Sequence, residues 1–471
     1  MSRRSTRRQP ESLIDLAHPV HCHVVGIGGP GMSPLACVLH GKGHRVTGSD
    51  MRESDVTRML ASIGIDVTIG HHAELVENAD VVTYSTAIPQ TNVELVEARE
   101  RGIEVRHRSG LLASLCAVSE AVGVAGTHGK TTTSALLTHI LVENNVDPSC
   151  IIGAEVSGLQ VGARVGQSRL FVLESDESDG TLDVLPLTHL VVTNVDVDHL
   201  DYFGTFEDVQ ECFVDAVLRA TGHVVLNCDD IGSRPVVEAG LARGNVTTVG
   251  RSAHAMIQVV SVQSVADGLE IDIDIDGQVV RASLPLLGEH NAMNCAAAIA
   301  MARHLGVAPH DACRAVETFG GVQRRFTERG EFNGGLLVDD YAHLPAEIEA
   351  ALQAARTHPK ATKRVIAVFQ PNRFHRIAAM ANAYADCFGQ ADVVVITDVY
   401  ASGTERIDGV TGELVVNAIK HQHPDAHVVW APLRRDVVAA VAGIIDNGDI
   451  CVSMGCGDIE TFPDDLMRSR T

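Results

Sequence analysis

One segment, Gly126–Thr133, limits the possible folds of this chain more than any other feature. Its sequence, GTHGKTTT, follows the apolar run Ala121–Ala125, which predicts a buried strand, and precedes Ser134–Leu141, which predicts a helix with an apolar face. In such a loop the glycines let backbone N–H groups approach phosphate oxygens, and the helix N-terminus adds partial positive charge. The segment therefore predicts a nucleoside triphosphate site in an α/β domain.

Lys130 and Thr131 carry the phosphate chemistry that this loop predicts. In loops of this kind the lysine reaches the β- and γ-phosphates, and the hydroxyl after it holds Mg²⁺. The general pattern places a glycine at position 124, whereas this chain has Val124 there and Gly123 one place earlier. A glycine-rich turn without a ligand is therefore the alternative interpretation. The other candidate ATP contacts in the loop are Gly126, Thr127, Gly129 and Thr132.

Length and composition set the broad class of protein. A chain of 471 residues is too long for a single core, so two to four domains are expected. The content of 45% hydrophobic and 21% charged residues is ordinary for a globular protein. The formal net charge of −23 argues against a nucleic-acid partner, because such binding depends on cationic contacts to phosphates.

Cysteine content, apolar runs and the N-terminal segment bear on the location and assembly of the protein. The 11 cysteines form no CxxC pair and no zinc-like spacing, which favours reduced thiols in a cytoplasmic protein. Because there is no long apolar run, membrane insertion is not expected. The basic segment Ser2–Arg8 is followed by no hydrophobic signal segment, so we expect a disordered tail there. The sequence does not distinguish a monomer from a homodimer.

Strands and helices alternate in three successive blocks. The first contains the strand His23–Val25, the glycine loop Gly26–Gly31 and a second strand that ends near Asp50. The second begins near residue 119 and includes the strictly alternating run Leu269–Asp276, which predicts a half-buried antiparallel strand. The third follows Phe319–Phe326. This order predicts an α/β protein built on parallel sheets with right-handed crossovers.

Acidic residues and a histidine follow two predicted strands of the second block. In open parallel sheets, ligand-handling groups lie at the carboxyl ends of the strands. Glu174 ends one strand and opens the acidic run Glu174–Gly180, so it is a candidate Mg²⁺ ligand together with Thr131. His199 lies beside carboxylates after the next strand and is a candidate to bind a second cation or to orient the transferred phosphate. A solvated acidic loop and a structural histidine are the alternatives.

Amide side chains lie near the start of an alanine-rich segment. Asn291 and Asn294 are three residues apart and share one face of the predicted helix. A carboxamide offers a donor and an acceptor together, which suits an adenine edge, although helix capping explains an asparagine there equally well.

Two pairs of arginines are candidates for binding anions. The pair Arg324–Arg325 lies at a predicted domain boundary, where it either clamps phosphate oxygens or forms a solvated hinge. Arg373 and Arg376 follow a strand end and can bind a carboxylate.

The first glycine loop is compatible with two classes of ligand. A G-x-G-x-x-G pattern with an acidic residue, Asp50, about twenty residues later is typical of dinucleotide sites. A nucleotide sugar presents the same pyrophosphate, so the residues alone do not separate the two ligands.

Taken together, these segments resemble the Mur ligases of peptidoglycan synthesis, from about His21 to about Asp458. The resemblance rests on many motifs in family order. They are Gly26–Ser33, Gly48–Asp50, Gly126–Thr133, Glu174–Asp179, Asp198–Asp201, His290–Asn291 with Asn294, Val322–Phe326, Asp339–Tyr341 with His343 and Pro345, Phe369–Pro371 with Arg373, and Thr397–Tyr400.

The resemblance implies three domains: a Rossmann-like domain that binds a UDP-sugar (residues 1–118), a P-loop-type ATPase domain with an added antiparallel sheet (119–325), and a Rossmann-like domain that presents the amino acid (326–471). It implies that ATP and Mg²⁺ drive the ligation of L-alanine to UDP-N-acetylmuramate through an acyl phosphate.

The resemblance also implies roles for single residues. Lys130, His199, Arg325 and His343 would be catalytic; Asn291, Asn294, Arg325 and Asp340 would join the phosphate loop in binding ATP; Thr131, Glu174 and His199 would hold metal. The implied contacts to the other substrates are Gly28, Gly29, Gly31, Met32, Ser33, Asp50, Ser85, Arg373 and Arg376.

This chain departs from the family pattern at three positions in the third block. Leu344 and Asn372 stand where the family usually has histidine, and Ala342 stands where it has glycine. The departures put the choice of amino acid in doubt. The rival interpretations are a related ligase that adds a recycled peptide, a nicotinamide dehydrogenase built on the first loop, and a non-catalytic nucleotide-dependent binding protein.

Overall fold

The computed structural model describes residues 8–154, 156, 159, 161–265 and 268–469. The basic segment for which we expect a disordered tail lies outside these residues, except for Arg8. Within the described part of the chain, the strands form three sheets, each interleaved with helices. Among the described residues, no helix combines the length and the apolar character that a bilayer crossing requires.

The first sheet has five parallel strands in the order β3-β2-β1-β4-β5. The strands are β1 His21–Val25, β2 Arg45–Asp50, β3 Asp66–Ile69, β4 Val81–Tyr84 and β5 Glu104–His107. The helices between and after them are α1 Ser33–Gly41, α2 Asp55–Ser62, α3 Val93–Glu100 and α4 Arg108–Ala117. The order reverses between β1 and β4, so the loops after these strands flank the crevice where doubly wound sheets bind ligands.

The second sheet has ten strands in the order β15-β14-β13-β12-β11-β10-β6-β9-β7-β8. Its strands are β6 Glu120–Ala125, β7 Ser149–Ile151, β8 Ala163–Arg164, β9 Leu170–Glu174, β10 His189–Val192, β11 Val224–Asn227, β12 Val246–Gly250, β13 Ile257–Val265, β14 Gly268–Ile275 and β15 Gln278–Leu284. Its helices are α5 Lys130–Glu143, α6 Thr181–Val184, α7 Leu200–Phe203, α8 Phe206–Arg219, α9 Arg234–Arg243, α10 His290–His304 and α11 Pro309–Val316.

The centre of this sheet is parallel, with β6 paired to β9 on one side and to β10 on the other. The alternating run expected to be a strand is β14. It connects to β15 through the two-residue turn Asp276–Gly277, which only an antiparallel pair allows. Gly123 lies inside β6 and not in the phosphate loop. An added Cβ there would lie 2.5 Å from the Leu187 side chain, so this glycine serves packing.

The third sheet has six strands in the order β16-β17-β21-β18-β19-β20. They are β16 Thr327–Phe332, β17 Gly335–Asp340, β18 Val365–Phe369, β19 Val393–Ile396, β20 Val428–Trp430 and β21 Ile450–Met454. The helices are α12 Pro345–Thr357, α13 Phe374–Met380, α14 Glu413–Gln422, α15 Arg434–Ile444 and α16 Phe462–Arg468. Strands β16 and β17 form an antiparallel hairpin, and the other pairings are parallel.

The chain divides into two compact units. One comprises Met1–Ser261, Ile271–Leu284 and Met293–Gly320; the other comprises Val262–Glu270, Pro285–Ala292 and Gly321–Thr471. The first unit contains the first sheet and most of the second, and the second unit contains the third sheet. The three sheets agree with the predicted three-domain α/β architecture, whereas the domain limits 1–118, 119–325 and 326–471 stay a prediction.

Three histidines pack together beside the amino-terminal ends of β10 and β11. The rings of His223 and His304 stack with their centroids 4.0 Å apart, and His189 meets the His304 ring edge-on at 4.9 Å. Burial, followed by the charge that a protonated His304 would carry, lowers the pKa of His223 to about 4. His223 therefore binds a proton near pH 6.5 in the unfolded chain but only at lower pH in the folded protein.

We expect His223 to have no effect on the pH dependence of the unfolding free energy above pH 6.5. As the pH falls from 6.5 to about 4, His223 should make the unfolding free energy decrease. In that window the unfolded chain binds a proton at His223 that the folded chain does not. Thermal unfolding at about pH 7 and about pH 5 measures the effect. The acid-induced drop in Tm should be smaller in His223→Gln than in the wild type or in the control His18→Gln, whose ring is exposed. Equal drops in all three proteins would contradict this account.

Candidate active site

The phosphate loop lies between β6 and α5, at the carboxyl edge of the second sheet. Gly126 has φ 131° and Gly129 has φ 80°, and both values lie in a region that side-chain-bearing residues rarely adopt. A Cβ on Gly126 would overlap the Thr193 hydroxyl and lie 3.0 Å from the backbone nitrogen of Asn194. Gly129 is the N-cap of α5 and provides no side-chain cap. The first turn of α5 therefore presents backbone N–H groups suited to an anion.

Lys130, the first residue of α5, is held by oxygen atoms on several sides. Its ammonium donates to the carbonyl oxygens of Gly126 at 2.6 Å and Thr127 at 3.3 Å. It also donates to both carboxylate oxygens of Glu177 at 3.1 Å. Burial by itself lowers the pKa of Lys130, but Glu177, Asp176 and Glu174 outweigh burial and raise it. The acidic residues around this side chain therefore favour its charged form in spite of burial.

The threonines of the loop differ in their surroundings. Thr127 accepts a hydrogen bond from the backbone N–H of Asp196 at 2.8 Å, which fixes the loop to the segment after β10. Thr131 and Thr132 lie in the first turn of α5 and are buried. The sequence predicted contacts to ATP for all three, and that prediction stays open.

The acidic loop, Glu174–Gly180, contributes candidate metal ligands at two places, and His199 joins one of them. Glu174 ends β9, and its carboxylate accepts a hydrogen bond from the Gly153 backbone N–H at 2.9 Å. Ligand atoms of Asp176, Glu177 and His199 all lie within 4.8 Å of one another. Among the described His, Cys, Asp and Glu residues, this is the group that the structure gathers, and Glu174 is not part of it.

The chemistry of Asp176, Glu177 and His199 shows how well Mg²⁺ fits this site. Mg²⁺ prefers oxygen ligands and commonly uses one or two carboxylates together with substrate phosphates, so Asp176 and Glu177 suit it. His199 is different, because its Nε2 lies 3.0 Å from the Asp198 carboxylate. Burial lowers the pKa of His199, but Asp198, Glu177 and Asp176 together raise it. The raised pKa favours the protonated ring of His199, and only the neutral ring can bind a metal.

Helix α10 carries the two candidate adenine contacts. Asn291 donates from Nδ2 to the Leu287 carbonyl oxygen at 2.7 Å, which holds its side chain against the turn before α10. Asn294 is buried, and its carboxamide lies so close to Gly129 that a Cβ there would overlap it. The structure thus brings Asn294 to the phosphate loop, while Asn291 belongs to the other compact unit.

The first glycine loop connects β1 to α1. Asp50, at the end of β2, accepts a hydrogen bond from the Gly28 backbone N–H at 2.9 Å. The Gly29 carbonyl accepts from the backbone N–H groups of Met32 and Ser33, each at 2.9 Å, and from the Ser33 hydroxyl at 3.1 Å. These contacts bring most of the predicted substrate residues together. Met32 and Ser33 are themselves buried, so their part here is to shape the loop.

Two residues at this edge were missed by the sequence interpretation. Arg108 begins α4, directly after β5, and its guanidinium lies against Gly31, where a Cβ would overlap it. It forms an ion pair with Asp179 at 3.0 Å. His107 lies 3.1 Å from the Thr86 hydroxyl, next to the predicted residue Ser85. A basic residue directly after a strand was the available signal for Arg108.

In the second unit, the pair Arg324–Arg325 is not a solvated hinge. Both guanidiniums lie over the Tyr341 ring, at 5.1 Å and 5.4 Å from its centroid. Arg324 forms ion pairs with Asp339 at 3.1 Å and Glu460 at 2.8 Å. Among the described residues, Arg325 has no carboxylate within 4.0 Å, so it is the better placed of the two to meet an external anion.

Asp340 and His343 follow β17 in the same unit. Asp340 accepts from the backbone N–H groups of Phe326 and Ala342, each at 2.7 Å. Burial raises the pKa of Asp340 to about 6, although Arg325 acts in the opposite direction. The Nδ1 atom of His343 lies 3.1 Å from the Glu347 carboxylate.

The arginines after β18 have different environments. Arg376 is buried, and its Nη1 donates to the Asn372 carboxamide oxygen at 2.8 Å. Arg373 is half-buried with φ 60°, and its backbone N–H donates to the Tyr400 carbonyl at 2.9 Å. Asn372, a departure from the family pattern, thus orients one of the two candidate carboxylate-binding residues.

Comparison with known proteins identifies the architecture. Three family models match successive parts of the chain: "Mur ligase family, catalytic domain" at residues 21–119, "Mur ligase middle domain" at 124–302, and "Mur ligase, glutamate ligase domain" at 324–457. The UDP-N-acetylmuramate–L-alanine ligase of Sinorhizobium medicae is 40% identical over 453 residues, covering 93% of this chain and 94% of that protein.

This chain belongs to the Mur ligase family. The crystal structure of the UDP-N-acetylmuramate–alanine ligase of Thermotoga maritima matches it with a TM-score of 0.78 and 25% identity, over 96% of this chain and 99% of that one. A murein peptide ligase from Psychrobacter arcticus matches with a TM-score of 0.68 and 23% identity, over 96% and 98% of the two chains, and shares the fold.

A substitution tests the constraint on the phosphate loop. In Gly126→Ala the new methyl group meets Thr193 and the Asn194 backbone at a strained φ, so we expect a loss of more than about 2 kcal/mol of unfolding free energy and the loss of nucleotide binding. Gly102→Ala is the matched control, because its φ is 72° but no atom lies within 4 Å of the added Cβ. It should lose about 1 kcal/mol. Chemical denaturation and nucleotide titration measure both effects; a similar loss in the two variants would contradict the steric argument.

Proposed function

We propose that this protein joins L-alanine to UDP-N-acetylmuramate at the expense of ATP, in the synthesis of peptidoglycan precursors. The observation that carries the proposal is the buried Lys130 ammonium at the start of α5, surrounded by the Gly126 and Thr127 carbonyls and the acidic loop. Support comes from the 40% identity to a relative named for this activity, across nearly all of both chains.

The proposed division of labour follows the three sheets. The loop Gly28–Gly31 would bind the diphosphate of the UDP-sugar, with Asp50 and Ser85 at its edge. The loop Gly126–Thr132 would bind ATP, and Asn291, Asn294, Arg325 and Asp340 are its other proposed contacts. The limits 1–118, 119–325 and 326–471 are the proposed domain boundaries.

In the proposed first step, the lactyl carboxylate of the sugar attacks the γ-phosphorus of ATP, giving an acyl phosphate and ADP. Two anions must approach each other, so cations dominate the catalytic requirement. Lys130 would hold the β- and γ-phosphate oxygens, and Arg325 would meet the charge that spreads over the transferred group. His199, held by Asp198, would orient that group.

Mg²⁺ is part of the proposal. Thr131, Glu174, Asp176, Glu177 and His199 are the residues that would hold it. When bound, it would neutralise phosphate charge and keep the reacting oxygens in place. The carboxylates near Lys130 thus have two proposed partners, the lysine and the metal.

In the proposed second step, the alanine amine attacks the acyl carbon, and phosphate leaves from the tetrahedral intermediate with the former carboxylate oxygen. The attacking amine must be neutral. His343, paired with Glu347, would accept its proton, and Arg373 and Arg376 would bind the alanine carboxylate. Exclusion of water matters because water would hydrolyse the acyl phosphate.

The proposal extends to location and assembly. We place the protein in the cytoplasm, without a nucleic-acid partner, as a monomer or homodimer. The non-catalytic alternative and the peptide-adding ligase differ from the proposal in substrate dependence, so one assay addresses all three.

Phosphate release tests the function directly. We expect release to require ATP, UDP-N-acetylmuramate and L-alanine together, and to be lost in Lys130→Ala because the transferred phosphate loses its buried cation. Binding of the UDP-sugar should survive in that variant. Lys420→Ala, at an exposed position on α14, is the control. Full turnover in Lys130→Ala would refute the role of the lysine, and release with a peptide but not with alanine would refute the substrate.

A second variant tests the amino-acid site. Asn372→Ala removes the acceptor for Arg376, so we expect the KM for alanine to rise about tenfold, the size of one hydrogen bond to a charged group. The KM for ATP should stay the same. Asn417→Ala, exposed on α14, is the control. Steady-state kinetics measure both constants, and a change confined to ATP would count against the assignment.

A further inference from the structure

Two carboxylates of one loop neutralise two separate cations. The acidic loop, Glu174–Gly180, pairs Glu177 with Lys130 at 3.1 Å and pairs Asp179 with Arg108 at 3.0 Å. The Lys130 pair is more deeply buried, with side-chain exposures of 13% and 2% compared with 21% and 20%. The loop therefore spans from the phosphate loop of the second sheet to the first residue of α4 beside the first sheet.

Each cation lies where the proposed function needs a phosphate contact. Lys130 opens the helix that follows Gly126–Gly129, and its ammonium already contacts the loop carbonyls. The guanidinium of Arg108 packs on Gly31, the last glycine of the loop that would receive the UDP diphosphate. In both places a carboxylate oxygen occupies a cation that can also bind a phosphate oxygen.

Local hydrogen bonds fix the two carboxylates relative to each other. Asp176 accepts from the backbone N–H of Ser178 at 3.0 Å and from its hydroxyl at 2.8 Å. The Gly180 N–H donates to the Glu177 carbonyl at 3.2 Å. The second oxygen of Asp179 accepts from the Thr181 N–H at 3.0 Å. The acidic loop is thus a short, internally bonded turn, which presents Glu177 and Asp179 from a defined backbone.

We propose that Glu177 and Asp179 are internal competitors for phosphate, which the triphosphate displaces from Lys130 and the sugar-nucleotide diphosphate displaces from Arg108. This inference rests on the proposed function for the identity of the two ligands. On binding, each ligand replaces a carboxylate with a phosphate at a cation that is already present. The ligand therefore binds more weakly than it would if the ion pair did not have to break. Each carboxylate also keeps its cation compensated before the ligand arrives, since an unpaired buried charge is strongly destabilising.

The exchange also provides selectivity. A ligand with a single weakly charged group gains little by replacing a carboxylate that is already well placed. A diphosphate or triphosphate brings more charge and more acceptor oxygens, so it gains more at the same cation. Glu177 and Asp179 are therefore positioning residues that favour highly charged ligands at their respective sites.

Two variants and two probes test the inference. ADP and UDP are titrated calorimetrically into the wild type, Glu177→Gln and Asp179→Asn, with a chelator present so that metal binding does not contribute. We expect Glu177→Gln to bind ADP about tenfold more tightly and UDP as the wild type does, which corresponds to the loss of one charged competitor. Asp179→Asn should bind UDP about tenfold more tightly and ADP as the wild type does. Each variant is thus the matched control for the other.

Glu177→Gln leaves a buried ammonium without its partner, so its folding is checked by thermal unfolding with and without ADP. If it does not fold, Glu177→Asp keeps the charge on a shorter side chain, and we expect a smaller gain in ADP affinity. Unchanged or weaker binding of the cognate probe in the folded variants overturns the inference. Equal changes for both probes also overturn it, because a general structural effect would produce them.

The outcome is separable from the proposed function. If the wild type releases phosphate with UDP-N-acetylmuramate and alanine but the two variants do not show the crossed pattern, the proposed function stands and this inference is wrong. If the crossed pattern appears but no phosphate is released with those substrates, the competition is real and the substrate assignment is wrong.

Discussion

One buried ammonium is the group on which the rest of the candidate site depends. Lys130 contacts the Gly126 and Thr127 carbonyls and both oxygens of Glu177, and the surrounding acids keep it charged in spite of its burial. A cation in such a place needs compensation by an anion, which Glu177 supplies here and which a phosphate replaces in the proposed exchange. Gly126 and Gly129 hold the backbone around this cation, because their positive φ values and the nearby Thr193 and Asn294 side chains leave no room for a Cβ.

Parallel sheets explain why groups distant in the sequence meet. Strands β6, β9 and β10 are adjacent, so the phosphate loop, the acidic loop and the segment that carries His199 leave the same edge of the second sheet. The first sheet uses the same principle for Asp50 and its glycine loop. The Arg108–Asp179 pair then connects the two edges within one compact unit. The second unit carries Arg325, His343 and the arginines after β18 in its own part of the chain, which contains the third sheet.

The sequence predicted the parts of the fold that local patterns determine, and its failures have physical causes. The apolar runs His23–Val25 and Ala121–Ala125 located β1 and β6 within two residues, and the alternating run identified β14. The charged strand β16 was missed because it lies at the sheet edge, although the Asn333–Gly334 turn was an available signal. Which acid of Glu174–Gly180 contacts Lys130 depends on side-chain direction, which the sequence does not determine. The sequence named Glu174 as a candidate Mg²⁺ ligand and made no prediction for the Lys130 contact, and the structure pairs Lys130 with Glu177. The different partners of Arg324 and Arg325 likewise arise from tertiary contacts.

In the proposed reaction, the Lys130 site transfers a phosphoryl group from ATP to a sugar-borne carboxylate. Isotope transfer tests this most directly. UDP-N-acetylmuramate labelled with ¹⁸O in its lactyl carboxylate is turned over with ATP and alanine, and the released phosphate is analysed by mass spectrometry. An acyl phosphate passes one carboxylate oxygen to phosphate, so the account predicts one ¹⁸O atom in each phosphate released during the first turnover. Released phosphate without the label, from a reaction that forms the alanine amide, would contradict the account.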